Sequence, residues 1–76
     1  MIHDSIKKIF LMVFENADIT EETSIYNFEK WDSLGHAKLI VTLEQYFRIK
    51  LNFNEITQLT IVKNIQDVML KKGVLS

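Results

Sequence analysis

Proline is absent from this chain, and glycine occurs only at positions 35 and 73. So few breakers favour helices over a turn-rich sheet. Ile2, Ile6, Ile9, Phe10 and Val13 recur at helical spacing and predict a first amphipathic helix over residues 2–15. Thr60 stands where it would cap a last helix with an inner face of Ile61, Val62, Ile65, Val68 and Met69, and Gly73 suits its C-terminal stop. Residues 54–58 predict one short turn of helix before it. No repeat or low-complexity segment interrupts the pattern, and residues 1–76 read as a single domain.

The segment over 16–31 breaks this regularity. A connection of about sixteen residues is longer than most in compact domains, and such loops are usually functional or disordered. Ile19, Ile25, Phe28 and Trp31 are spaced along it like anchors, so an ordered loop pinned to the core is expected, with Trp31 partly buried at its base. It delivers the chain to Asp32, a good N-cap for a second helix because its carboxylate can accept free N–H groups of the next turn. Trp31 and His36 then fall at the positions that meet in a hydrophobic staple.

At helical spacing the second helix carries two apolar stripes. Leu39, Ile40, Leu43 and Phe47 share one broad face and should be core. Leu34, Ala37 and Val41 form another, turned well away from the first. That second stripe is either packed inside the domain or an exposed docking patch.

Ser33 occupies the first helical position, beside the positive end of the helix dipole, which favours a phosphate group. With Asp32 acting as cap, the Ser33 hydroxyl has no evident structural duty. A hydrolase reading would make Ser33 the nucleophile, His36 its base and Asp32 the orienter. The spacing disfavours it: His36 lies about 60° around the helix from Ser33, towards the core stripe. A chain of 76 residues also offers little cleft for a substrate. His3 and His36 are the only histidines and lack metal-ligand spacing, so no metal site is expected.

Composition narrows the remaining classes. An apolar fraction of 47% supports a core and argues against disorder. A net charge of −1 disfavours nucleic-acid binding, which needs a basic surface. No apolar run approaches the roughly 20 residues of a membrane span, so no membrane insertion is expected. The first residues lack the features of a signal peptide, which points to the cytoplasm; a monomer is expected. There is no cysteine.

The run Asp32-Ser33-Leu34 at the head of the second helix resembles the attachment motif of the acyl carrier protein family. The likeness extends through nearly the whole chain. Ile19-Thr20 and Thr23-Ser24-Ile25 look like the family's loop before the modified serine, and Leu43-Glu44-Gln45-Tyr46-Phe47 is similar to the close of its second helix. Ile49 to Leu51 resembles the extended piece before the third helix, and Thr60-Ile61-Val62 the start of the fourth. The resemblance implies an all-α, four-helix bundle of the acyl-carrier type, with a long loop between helices 1 and 2 and a short third helix.

It also implies a function without catalysis: acyl intermediates carried as thioesters on a 4′-phosphopantetheine arm attached to Ser33. A phosphopantetheinyl transferase would install the arm from coenzyme A with Mg²⁺, and Asp32 would contact transferase and ion. Acyl-transferring or ligating enzymes and synthases would dock on Leu34, Ala37, Val41 and Glu44. An acyl chain could fold back against Phe28, Leu39, Ile40, Leu43, Ile56 and Leu59, which are equally ordinary core residues. Gly35 and Lys38 stand where carriers of bacterial fatty-acid synthesis have acids. The Trp-Asp-Ser-Leu-Gly-His form looks more like stand-alone carriers of specialised pathways, in fatty-acid-like, polyketide-like or polysaccharide-modifying chemistry. The alternative is a protein-interaction module that docks through Leu34, Ala37 and Val41 and never acquires an arm.

Overall fold

The computed structural model describes residues 1–75; Ser76 lies outside the described residues. Four helices follow one another: α1 (Asp4–Val13), α2 (Ser33–Phe47), α3 (Phe53–Gln58) and α4 (Val62–Lys71). Among the described residues there is no strand beyond one isolated antiparallel bridge, Ser24 to Ile61. The all-α architecture with a long first loop and a short third helix is the one expected. No helix among the described residues is long and apolar enough to cross a membrane.

The helical periodicity translates directly into burial. Ile6, Ile9 and Phe10 of α1, Leu39, Ile40 and Leu43 of α2, and Val62, Ile65 and Met69 of α4 are buried in one cluster with Phe14, Trp31, Leu51 and Leu59. Trp31 goes further than expected: it is wholly buried rather than partly so. Its indole meets Phe10 edge-on at 5.2 Å between ring centroids, and Phe14 lies 6.3 Å away. The other anchors, Ile19, Ile25 and Phe28, pack half-buried against this core.

Helix α1 is shorter at both ends than its periodicity predicts. At its start, Gln66 of α4 reaches across: its Oε1 accepts the His3 N–H at 2.6 Å, and its Nε2 donates to the Met1 carbonyl at 3.3 Å. These bonds tie the first residues to α4, and His3 is extended rather than helical. At its end, Phe14 leaves the helix in an extended conformation, and Asn16 is left-handed at φ +57°.

Helix α4 is capped differently from the expectation. The N-cap is Ile61, not Thr60, and no side chain caps it. The loop serves instead: Val62 N–H donates to the Thr23 carbonyl at 2.9 Å and Lys63 N–H to the Glu21 carbonyl at 3.0 Å. Ile25 N–H returns a bond to Thr60 O at 3.0 Å, so loop and helix satisfy one another. The loop is ordered internally as well, with Asn27 Oδ1 accepting from Ser24 N–H and Thr23 Oγ1 from Thr20 N–H, each at 2.8 Å. At the far end, Gly73 is left-handed at φ +76°. The bonds Gly73 N–H to Leu70 O and Val74 N–H to Met69 O close the helix there as a Schellman turn.

Helix α3 begins one residue earlier than predicted because Asn52 and Glu55 form a reciprocal capping box. Asn52 Oδ1 accepts the Glu55 N–H at 2.8 Å, and Glu55 Oε1 accepts the Asn52 N–H at 3.0 Å. Lys72 Nζ approaches the other Glu55 oxygen at 2.9 Å, tying α3 to the end of α4. The Asn52 N–H, and then Lys72, hold the Glu55 carboxyl below the usual carboxylate range. A lowered folded value means stabilisation that is complete above the unfolded pKa and lost as pH falls through the folded one. Glu55→Gln should therefore lower the melting temperature at neutral pH, and that difference should close in acid. A gap that stays constant from pH 7 to pH 3 would contradict this.

Candidate functional site

Everything around Ser33 is arranged by its neighbours rather than by the serine itself. Asp32 is the N-cap of α2, and its Oδ1 accepts the Gly35 N–H at 2.8 Å. The Asp32 carbonyl accepts the His36 N–H at 2.7 Å, the first turn's backbone bond. Ser33 is the first residue of α2 and exposed, and among the described residues its hydroxyl has no hydrogen-bond partner. Asp32 Oδ2 is likewise free of protein donors.

Two contacts set the direction of this turn. Gly35 is buried against the end of α1: a Cβ there would stand 2.6 Å from Phe14 Cε1 and 2.8 Å from the Lys30 carbonyl oxygen. Any other residue would push α2 away from Phe14 and the loop. A lone glycine inside a helical pattern is a signal of such close packing, but the sequence does not say what approaches it.

His36 makes the second contact. Its ring stacks beside Trp31 at 6.2 Å between centroids, in the staple position expected, but the tie is polar. Trp31 Nε1 donates to His36 Nδ1 at 3.0 Å, and His36 Nε2 lies 3.0 Å from the Ile56 carbonyl of α3. An indole nitrogen only donates and a carbonyl only accepts, so the ring must carry its hydrogen on Nε2. One imidazole thus joins the end of the loop, the first turn of α2 and the short α3. With both nitrogens engaged and pointing away from Ser33, His36 is not placed to act as a base on that hydroxyl. The Ser-His-Asp arrangement is not assembled, and no cluster of three metal-ligating side chains occurs among the described residues.

The second stripe of α2 is exposed, not packed. Leu34 and Val41 are 66% and 50% exposed, and Ala37 is exposed beside them. Glu44 has a structural use: half-buried, it accepts the Leu51 N–H on Oε2 at 2.9 Å and steadies the chain entering α3. Of the six residues named for an acyl chain, Leu39, Ile40, Leu43 and Leu59 are buried core, and Phe28 and Ile56 pack half-buried at its edge.

Comparison with protein-family models and with curated proteins gave no match. Among solved structures, the chain is similar to the solution NMR structure of a holo acyl carrier protein from Geobacter metallireducens. The two share 39% identity over 91% of this chain and 82% of that one, with a TM-score of 0.81. The chain belongs to the acyl carrier protein family. Within that family the exposed Ser33 turn is the feature of interest, and in this carrier its support is steric. Gly35→Ala should cost about 1–3 kcal/mol, the usual penalty for forcing a methylene-sized group into a packed site. Chemical denaturation measures it. An unchanged midpoint would show that Phe14 yields freely and does not set the position of α2.

Proposed function

We propose that this carrier holds acyl intermediates as thioesters on a 4′-phosphopantetheine arm attached to Ser33, and that it has no catalysis of its own. One observation carries the reading: Ser33 is the exposed first residue of α2, and its hydroxyl is free because Asp32 does the capping. The other serines suit the task less well. Ser5 is half-buried on α1, and Ser24 is buried in the loop, where its Oγ accepts the Tyr26 N–H at 3.2 Å. Ser76 lies outside the described residues.

The residues present fit such a group. The serine oxygen would be esterified to the phosphate, and the N-terminal end of α2 favours the negative charge that arrives there. When bound, the arm supplies a thiol for thioester formation, which this chain lacks because it has no cysteine. Asp32 is suited to the transfer step because Oδ1 is committed to Gly35 N–H, which leaves Oδ2 as a hard oxygen ligand. Mg²⁺ is commonly held by one or two carboxylates together with substrate phosphates. On this reading a phosphopantetheinyl transferase and coenzyme A supply the remaining ligands.

Enzymes that load, extend or accept the acyl group would meet the carrier on Leu34, Ala37 and Val41. The neighbouring Glu44 serves chiefly to hold Leu51. An acyl chain drawn inward would have to part Leu39, Leu43 and Leu59, with Ile40, Phe28 and Ile56 at the margin. The absence of a free acid on the exposed face of α2 favours a specialised biosynthetic pathway over general fatty-acid synthesis.

Intact-mass measurement tests the reading. Incubated with coenzyme A, Mg²⁺ and a broad-specificity transferase, the chain should gain one phosphopantetheine. Ser33→Ala should gain none while its stability changes by less than about 0.5 kcal/mol, as for other exposed substitutions. A modified Ser33→Ala protein would move the site elsewhere. No mass gain in the parent would leave the exposed stripe as the docking face of an armless module.

A further inference from the structure

Over residues 33–38 of α2, one side chain reaches inward. Ser33, Leu34, Ala37 and Lys38 are exposed, and Gly35 has no side chain to anchor. His36 is half-buried, and the next inward anchor is Leu39, a full turn from the start of the helix. The first four N–H groups of a helix have no partner within it, and a turn held by few contacts opens locally. Asp32 meets part of that need by accepting the Gly35 N–H at 2.8 Å. That bond lies within the turn and ties it to nothing outside.

His36 ties the turn to the core. Trp31 is fixed there by Phe10 and Phe14, and its Nε1 donates to His36 Nδ1 at 3.0 Å. This bond closes a ring through residues 31–36, and Ser33 lies inside it. The Asp32 carbonyl, accepting the His36 N–H at 2.7 Å, draws the same segment together through the backbone. On its far side the imidazole is held by the Ile56 carbonyl, 3.0 Å from Nε2, so it is not free to follow Ser33 outward. Gly35 acts differently. Its contact with Phe14 and the Lys30 carbonyl limits how closely α2 approaches, whereas the bond to Trp31 stops the turn from swinging away.

We propose that His36 is a positioning residue for arm attachment: its bond with Trp31 holds the first turn of α2 closed and so fixes the Ser33 oxygen for transfer. This rests on the carrier reading above. In that transfer the Ser33 oxygen forms a bond to the phosphorus of coenzyme A that carries pantetheine. The bond from that phosphorus to the departing adenosine 3′,5′-bisphosphate breaks, and the hydroxyl proton passes to a base on the transferase. An oxygen on a turn that opens spends less time in line for attack, and a misplacement of about 1 Å can cost on the order of a hundredfold in rate. His36 makes and breaks no bond in this step. It acts through Trp31 and the turn between them.

Loading rates of the full chain test it, with coenzyme A, Mg²⁺ and a broad-specificity transferase, and with intact mass as the readout. His36→Phe keeps a ring beside Trp31 but offers it no acceptor, and its kcat/KM for loading should fall at least about tenfold. His36→Gln still presents one acceptor and one donor, and should recover most of that loss. Trp31→Phe removes the donor instead. If the bond carries the effect, the double variant Trp31→Phe, His36→Phe should load no more slowly than the slower single variant. Ile65→Val, which loosens the core in α4, should load at the parent rate. Parent-like loading of His36→Phe would overturn the inference. So would a glutamine variant as slow as the phenylalanine one, or losses that add in the double variant. Should His36→Phe fail to fold, Trp31→Phe decides: it should load at least about tenfold more slowly, and parent-like loading would overturn the inference. A parent chain that does not load refutes the carrier reading, whereas parent and His36→Phe loading alike refute this inference alone.

Discussion

The imidazole of His36 is the point on which three otherwise separate parts of this protein are joined. Trp31 brings the long loop into the core, and its buried indole N–H needs an acceptor. A buried donor left without one costs about 1–3 kcal/mol. His36 provides the acceptor from the first turn of α2, and the opposite ring nitrogen then has a hydrogen to give to the Ile56 carbonyl of α3. A helix of six residues has little stability of its own. Its capping box, its ion pair with Lys72 and this bond from His36 keep it in place.

The turn that presents Ser33 is built almost entirely by negative requirements. Gly35 must lack a side chain so that Phe14 and the Lys30 carbonyl can close against α2. Asp32 must spend one oxygen on the Gly35 N–H so that the serine need not serve as the cap. His36 must turn inward to meet Trp31 and Ile56. What remains outward is a short, free hydroxyl beside the exposed apolar side chains of Leu34 and Val41. The proposed attachment point and the proposed docking face thus lie side by side on one helix.

Much of this was legible in the chain itself. The periodicities of α1, α2 and α4 reported the core faces, because burial on one side of a helix must repeat about every 3.6 residues. Asp32 as a cap could be read because the interaction spans only three residues. Interactions that join distant segments left no such trace. Nothing local in Gln66 shows that it will bind the backbone of Met1 and His3, and nothing in Thr60 shows that the loop carbonyls of Thr23 and Glu21 will supply what a cap would. Gly35 was visible as an anomaly in a helical run, but only the fold identifies Phe14 as its cause. Glu44 reads in the sequence as a docking residue because its partner, the Leu51 N–H, lies beyond the end of the helix, past the left-handed Arg48.

The most direct test of this account is the tautomer of His36. Long-range ¹H–¹⁵N correlation of the imidazole distinguishes a ring protonated at Nε2 from one protonated at Nδ1. A single Nε2–H tautomer is expected, with Nδ1 as an acceptor and a Trp31 indole proton that exchanges slowly with solvent. A ring protonated at Nδ1, or one averaging between tautomers beside a rapidly exchanging indole, would show that loop, α2 and α3 are not joined through this residue.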